Sequence, residues 1–145
     1  VDTNVMLAAL IKKGIVRQLI TDNAGELITP GWCYKELIEH EYVWNRNNLN
    51  KREVNSILKE LKQNFILPIE KKYYSKKLEE AGELITDPDD VPIVAVALAI
   101  ENEGVWTFNT KHFDTKKIKK SITILNTNDV KLMFEYSNRS NITEE

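Results

Sequence analysis

The stretch DPDDVPIVAVALA, residues 87–99, joins an acidic turn to an apolar helix and is the strongest indication of the fold. Nearly every residue after the acidic turn is apolar, which predicts a buried helix over residues 91–102. Pro92 falls in its first turn, where proline is tolerated. A helix that is apolar on all sides must be covered on all sides, so we expect it inside a layered domain.

The acidic turn before this helix has more carboxylates than a helix start requires. One acid is enough to cap free N–H groups and to offset the helix dipole. This turn carries Asp87, Asp89 and Asp90. Carboxylates this close repel one another, so the excess favours a bound cation or a polar network. Helix capping alone is the alternative interpretation.

Short apolar runs alternate with helical patterns on both sides of this stretch. Residues 1–7 are predicted to be the C-terminal end of a buried strand that leads into a helix. Further strands are predicted at residues 26–29, 65–69, 105–108 and 121–125. Helices are predicted from residue 8 with a break at Gly14, at residues 32–42, from a cap at Asn50, and at residues 71–84 and 127–136. A turn is predicted at residues 22–25. This alternation is typical of βαβ units with a parallel sheet covered on both faces, so the expected class is α/β.

The chain has 145 residues and a mass of 16.8 kDa, the size of one domain. We expect that domain at residues 1–136, followed by a polar tail at residues 137–145. The formal net charge is −2, so a nucleic-acid partner would require a local basic patch. Because the chain begins with Val rather than Met, we expect native residues before it and a longer first strand.

The cysteine content and the apolar runs bear on location. A single cysteine, Cys33, excludes an internal disulfide and a cysteine-based metal site with paired spacing. The longest apolar run, residues 91–100, is shorter than the roughly 20 residues of a membrane span. No secretory signal is visible at the N-terminus. These features predict a cytoplasmic protein without a membrane segment.

Polar residues fall where predicted strands end, the edge at which parallel sheets bind ligands. Asp2 and Asn4 lie two apart in the first strand, so alternation predicts that they share a face. Asn109 follows the strand at residues 105–108, with Thr107 two residues earlier, and Glu36 lies in the helix after the second strand. A helix cap, a turn residue and a solvated surface glutamate are the structural alternatives for these positions.

Four motifs in order resemble the PIN domain family. They are VDTNV at residues 1–5, KEL at 35–37, the stretch at 87–99, and WTFNTKHF at 106–113. The resemblance covers about residues 1–125. It implies a metal-dependent nuclease with a three-layer α/β/α sandwich around a central parallel sheet of about five strands.

The resemblance assigns the catalytic, metal-binding acids to Asp2, Glu36 and Asp90. Asn109 occupies a fourth position that is often Asp, and His112 stands where family members carry Asp before the phenylalanine. Further candidates are Asp87 and Asn109 as additional ligands, and Asn4 and Thr107 as supporting residues. A site made only of oxygen ligands suits Mg²⁺ or Mn²⁺.

The resemblance also implies partners. Small prokaryotic members are VapC-like toxins that cleave RNA and pair with a small antitoxin, usually as homodimers. Residues 111–120 carry five lysines and one aspartate, a net charge of +4, and we expect Lys111, Lys116 and Lys117 to follow the RNA backbone. Tyr42, Val43 and Trp44 are candidate apolar surface. The alternative is a PIN-like RNA-binding or RNA-processing module with little or no nuclease activity, which the departures at Asn109 and His112 favour.

Overall fold

The computed structural model describes residues 1–22 and 26–144, so the turn predicted at residues 22–25 lies mostly outside the described residues. The α-helices are α1 (Thr3–Ile11), α2 (Ile15–Asp22), α3 (Gly31–Glu39), α4 (Glu41–Arg46), α5 (Lys51–Asn64), α6 (Leu78–Leu84), α7 (Val91–Ala99), α8 (Lys116–Lys119) and α9 (Thr127–Glu144). The strands are β1 (Leu27–Pro30), β2 (Ile66–Ile69), β3 (Val105–Trp106) and β4 (Ile124–Leu125). The fold is therefore α/β, with helices predominating.

All strand pairing in the described residues is parallel. β1 pairs with β2 from Leu27 opposite Ile66 onward, and β3 pairs with β4. These are two separate two-stranded sheets, so the predicted sheet of about five strands is not confirmed.

The first two residues lie between these two sheets. The backbone nitrogen of Val1 donates to the Ile28 carbonyl at 2.8 Å, and the Asp2 N–H donates to the Trp106 carbonyl at 3.0 Å. The prediction that residues 3–7 continue a strand is wrong, because α1 begins at Thr3 and turns the chain away. Only two residues therefore occupy the position of a central strand.

The core forms around helices α1 and α7. Val5 and Met6 of α1 and Val94 and Ala95 of α7 have no exposed surface. Helix α7 packs against α6 and β1, while α1 packs against α2 and α3. The predicted burial of α7 is confirmed, and burial of each large aliphatic side chain stabilises the fold by about 1.5–3 kcal/mol. This packing places the first residues of both helices at the carboxyl ends of β1 and β3.

One local prediction is confirmed by a specific contact: Asn50 caps α5, because its side-chain oxygen accepts the Glu53 N–H at 2.8 Å. The helix predicted to reach residue 102 ends earlier, at Ala99. In the segment that follows it, Gly104 has a φ of 150°, a conformation that favours glycine. A Cβ at this position would lie 2.8 Å from Leu125 Cγ. The close approach of the chain before β3 to the chain at β4 therefore requires glycine.

Three helix predictions need correction. The helix predicted at residues 32–42 is divided at His40 into α3 and α4. Residues 71–84 form two 3₁₀ turns and then α6, because the chain bends to bury Tyr74 between the two turns. Helix α9 continues to Glu144, so the helix end predicted at residue 136 is wrong, and the division into a domain and a tail stays a prediction. None of the described helices is long and apolar enough to cross a bilayer.

Candidate functional site

Asp2 is a buried acid held in place by a neighbouring strand end. Its side chain lies directly before α1 and is only 4% exposed. The Thr107 hydroxyl, which follows β3, donates to Asp2 Oδ2 at 2.7 Å and accepts the Asn109 N–H at 3.1 Å. The supporting position predicted for Thr107 is therefore next to the Asp2 carboxylate. Asn109 takes part through its backbone, whose carbonyl also accepts the His112 N–H at 3.0 Å.

Glu36 reaches the same region from α3. Its Oε2 accepts a hydrogen bond from Thr3 Oγ1 at 2.9 Å, and Thr3 is the residue after Asp2. Its Oε1 lies 3.5 Å from His40 Nε2, and the side chain is 18% exposed. Glu36 is therefore a positioned, half-buried acid rather than a solvated one.

Asp90 is the most unusual acid of the group. It begins α7 without a side-chain cap hydrogen bond, and it is 7% exposed. Its Oδ2 is buried with no hydrogen-bond partner and lies 3.7 Å from His112 Nδ1. Burial, followed by the charges of Asp2 and Asp87, raises the pKa of Asp90 to about 6, while His112 opposes this shift. A buried carboxylate oxygen without a donor is costly unless a cation occupies the space beside it.

Asp87 completes a compact group of possible metal ligands. Ligand atoms of Asp87, Asp90 and His112 all lie within 4.8 Å of one another. Asp87 is half-buried, and its Oδ1 accepts the Asp89 N–H at 3.0 Å. Asp89 is exposed and is not part of this group, and it contributes to the turn through its backbone N–H. The alternative of simple helix capping does not explain Asp90, whose side chain caps nothing.

The structure brings some of the predicted site residues together and leaves others apart. The charge of Asp2 acts on Asp90, and Glu36 bonds to the neighbour of Asp2. Neither Asp2 nor Glu36 belongs to the close three-residue group. The alternation argument for Asn4 is wrong, because Asn4 lies in α1 and is exposed while Asp2 is buried.

Sequence reasoning treated His112 as a missing acid, but the structure gives it a position beside Asp90. The turn from Asn109 to His112, closed by the hydrogen bond between them, directs the imidazole toward the acids. The buried Phe113 fixes the next backbone position. Phe108 was also missed, and it is 45% exposed between Thr107 and Asn109. An aromatic residue and a histidine in the turn after a strand were the available signals.

The lysines predicted to contact RNA lie within this turn and after it. Lys111 precedes His112 and is exposed, as are Lys116 and Lys117 in α8. Within the described residues of this segment, Lys119 forms an ion pair with Asp114. The chain thus continues directly from an acidic centre into an exposed basic segment.

A separate groove lies at the other ends of the strands. Leu27, Ile28, Gly104, Leu125 and Phe134 contribute to its lining, with none of the site acids among its lining residues. Its lining mixes apolar side chains with the carboxylates of Glu26, Glu101 and Glu103. Among the described residues, however, the possible metal ligands that lie close together are those of Asp87, Asp90 and His112, outside this groove. The chemistry therefore places the candidate site at the acids.

The fold and the acids define an α/β domain with a candidate cation centre at its strand ends. A family model for the PIN domain matches residues 1–134, so the chain belongs to the PIN domain family. PIN domains are generally nucleases and typically depend on divalent metal ions. Neither a search of curated proteins nor a search of solved structures found a significant match.

Proposed function

We propose that this protein is a divalent-metal-dependent endoribonuclease. The observation that carries the proposal is Asp90 Oδ2, a buried carboxylate oxygen without a hydrogen-bond partner inside an acidic group. Such an oxygen fits a hard cation, which replaces the missing donor and offsets the repulsion from Asp2 and Asp87. Membership of a family of nucleases supports the same reading.

We assign the metal, Mg²⁺ or Mn²⁺, to the carboxylates of Asp2, Glu36 and Asp90, with Asp87 and Asn109 as candidate additional ligands. When bound, the cation supplies water activation and charge stabilisation for phosphodiester hydrolysis.

The chain itself positions these groups. Thr107 orients the Asp2 carboxylate, and Thr3 orients that of Glu36. The surrounding core excludes water from Asp90, which strengthens its interaction with a cation.

RNA is the proposed substrate, and the basic segment at residues 111–120 supports it. An acidic centre repels phosphates, so nearby cations must attract the backbone. The proposed contacts are Lys111, Lys116 and Lys117, and exposed Phe108 offers a surface on which a base can stack. Replacing all three lysines by Ala should reduce the slope of log affinity against log salt by about 2, at about 0.7 per phosphate on single strands. An unchanged slope would contradict this RNA path.

The decisive test of the activity is cleavage of single-stranded RNA with Mn²⁺ or Mg²⁺, with and without EDTA. Asp90→Asn should abolish cleavage, since it removes the charge that faces the cation. Asp89→Asn is the matched control, because it makes the same chemical change at an exposed acid one residue away. Equal cleavage by the native protein and Asp90→Asn, or cleavage unaffected by EDTA, would contradict the proposal.

We further propose that the protein is the toxin of a type II toxin–antitoxin pair, acting as a homodimer with a small antitoxin partner. Of the predicted apolar surface, Tyr42 is 73% exposed, but Trp44 is 2% exposed and its indole N–H donates to the Leu37 carbonyl. Exposed Ile38 lies near Tyr42 along the chain and adds to this surface. Expression in a bacterial host should stop growth, and Asp90→Asn should not. Growth unaffected by nuclease-active protein would contradict the toxin role.

A second candidate is an RNA-binding module with little nuclease activity. Its supporting observation is His112 Nδ1 at 3.7 Å from Asp90 Oδ2, because a protonated imidazole there offsets the Asp90 charge without a metal. Weak Mn²⁺ binding measured by calorimetry, together with intact RNA affinity, would favour this candidate over the nuclease.

A further inference from the structure

The space beside Asp90 is bounded by a nitrogen as well as by oxygens. His112 Nδ1 lies 3.7 Å from Asp90 Oδ2, outside hydrogen-bond range, and Asp90 Oδ2 has no other partner. The Asp90 side chain is 9% exposed, so the unpartnered oxygen is aimed into a largely closed space. Asp87 contributes a third ligand atom to the same group.

This separation is within the range that two ligands of one cation span. With bonds of about 2.1 Å in an octahedral site, neighbouring ligand atoms lie about 3.0 Å apart and opposed atoms about 4.2 Å apart. The value of 3.7 Å falls between these limits, whereas a direct hydrogen bond would be shorter than 3.2 Å or so.

The backbone also holds His112 in place. Its N–H donates to the Asn109 carbonyl at 3.0 Å, and the neighbouring Phe113 has no exposed surface. The imidazole side chain is 56% exposed, so it can adjust to a ligand without disturbing the core.

We propose that His112 is a nitrogen ligand of the cation at Asp90 and biases the centre toward Mn²⁺ over Mg²⁺. The inference rests on the proposed metal-dependent function and deepens it. Imidazole nitrogen suits first-row transition metals, whereas Mg²⁺ prefers oxygen ligands and water. A ligand set that joins an imidazole to the carboxylates therefore discriminates between these ions where a set of carboxylates alone would not.

A simple ion pair between His112 and Asp90 makes the opposite prediction. A protonated imidazole competes with the metal for the carboxylate, so its removal would strengthen the binding of both ions. If the imidazole is instead a ligand, His112→Ala should weaken Mn²⁺ binding by about tenfold or more and should weaken Mg²⁺ binding much less. His112→Asp should shift the preference back toward Mg²⁺. Calorimetric titration of each ion measures both changes without any activity assay.

The direct readout is electron spin-echo modulation of the Mn²⁺-loaded full chain, which detects nitrogen bound to manganese. The chain has two histidines, so the assignment needs two variants. Nitrogen modulation should be present in the wild type and in the control His40→Ala, and absent in His112→Ala.

Each outcome decides the inference. Modulation that is absent from the wild type, or that persists in His112→Ala, would overturn the role of His112 while leaving a metal centre of oxygen ligands. Absence of Mn²⁺ binding to the wild type would overturn both this inference and the proposed nuclease. If one histidine variant does not fold, the spectrum of the other still assigns the nitrogen, because the chain has two histidines.

Discussion

Asp90→Asn should stabilise the metal-free protein at neutral pH, although it removes a residue of the proposed centre. The pKa of Asp90 is raised from 3.8 to about 6, by burial first and then by Asp2 and Asp87. The folded protein thus holds this proton more tightly than the unfolded chain, so stability falls as pH rises from 3.8 to about 6. At about 1.4 kcal/mol per pKa unit, ionisation of Asp90 lowers the free energy of unfolding by about 3 kcal/mol once the pH is well above about 6.

The substitution removes this cost without changing the helix start, because Asn and Asp are equivalent as N-caps. In urea denaturation with EDTA at pH 7.5, the free energy of unfolding of Asp90→Asn should exceed that of the wild type by about 1–3 kcal/mol. At pH 4 the difference should be less than about 1 kcal/mol. Asp89→Asn, at an exposed position, should stay within about 0.5 kcal/mol at both pH values. A variant that is less stable than the wild type at pH 7.5, or a gain independent of pH, would refute this reasoning.

Three further substitutions test the packing and the support of the site. Gly104→Ala should lose about 1–3 kcal/mol, because its φ is 150° and the new Cβ would meet Leu125. Gly82→Ala, where no heavy atom lies within 4 Å of the new Cβ, should gain about 0.5–1 kcal/mol in the same urea denaturation; equal effects would contradict the steric argument. Thr107→Val should lose about 1–3 kcal/mol, because it leaves the buried Asp2 carboxylate without its donor. Unchanged thermal stability of this variant would show that the hydrogen bond is not needed.

Much of the fold could be predicted because the deciding signals are local. The buried α7 follows from an unbroken apolar run, and the start of α5 follows from the pairing of Asn50 with Glu53. The order of strands and helices follows from periodicity. These features depend on residues within one or two turns of each other.

The errors concern features that depend on distant contacts. The strand predicted over residues 1–7 does not form, and α1 begins at Thr3, because Val5 and Met6 suit either a strand or a helix. The break in the helix predicted at residues 71–84 depends on burial of Tyr74 against the core. Periodicity within the segment cannot show which of its faces another element will cover.

In the candidate site too, some residues could be predicted from local sequence and others depend on distant contacts. Asp90 could be singled out from an excess of acids before a helix, and Asp2 from its place at a strand end. The contact between His112 and Asp90 joins residues more than twenty positions apart and depends on the turn that begins at Asn109. Spacing along the chain therefore identified the acids and missed the imidazole beside them.

Anomalous scattering from crystals of the protein grown with Mn²⁺ would locate the cation itself. We expect a manganese peak beside Asp90 Oδ2, bounded by the carboxylates around it, and loss of that peak in Asp90→Asn. Crystals saturated with Mn²⁺ that show no peak there, or manganese bound only at exposed surface acids, would contradict the claim that these residues form a metal centre.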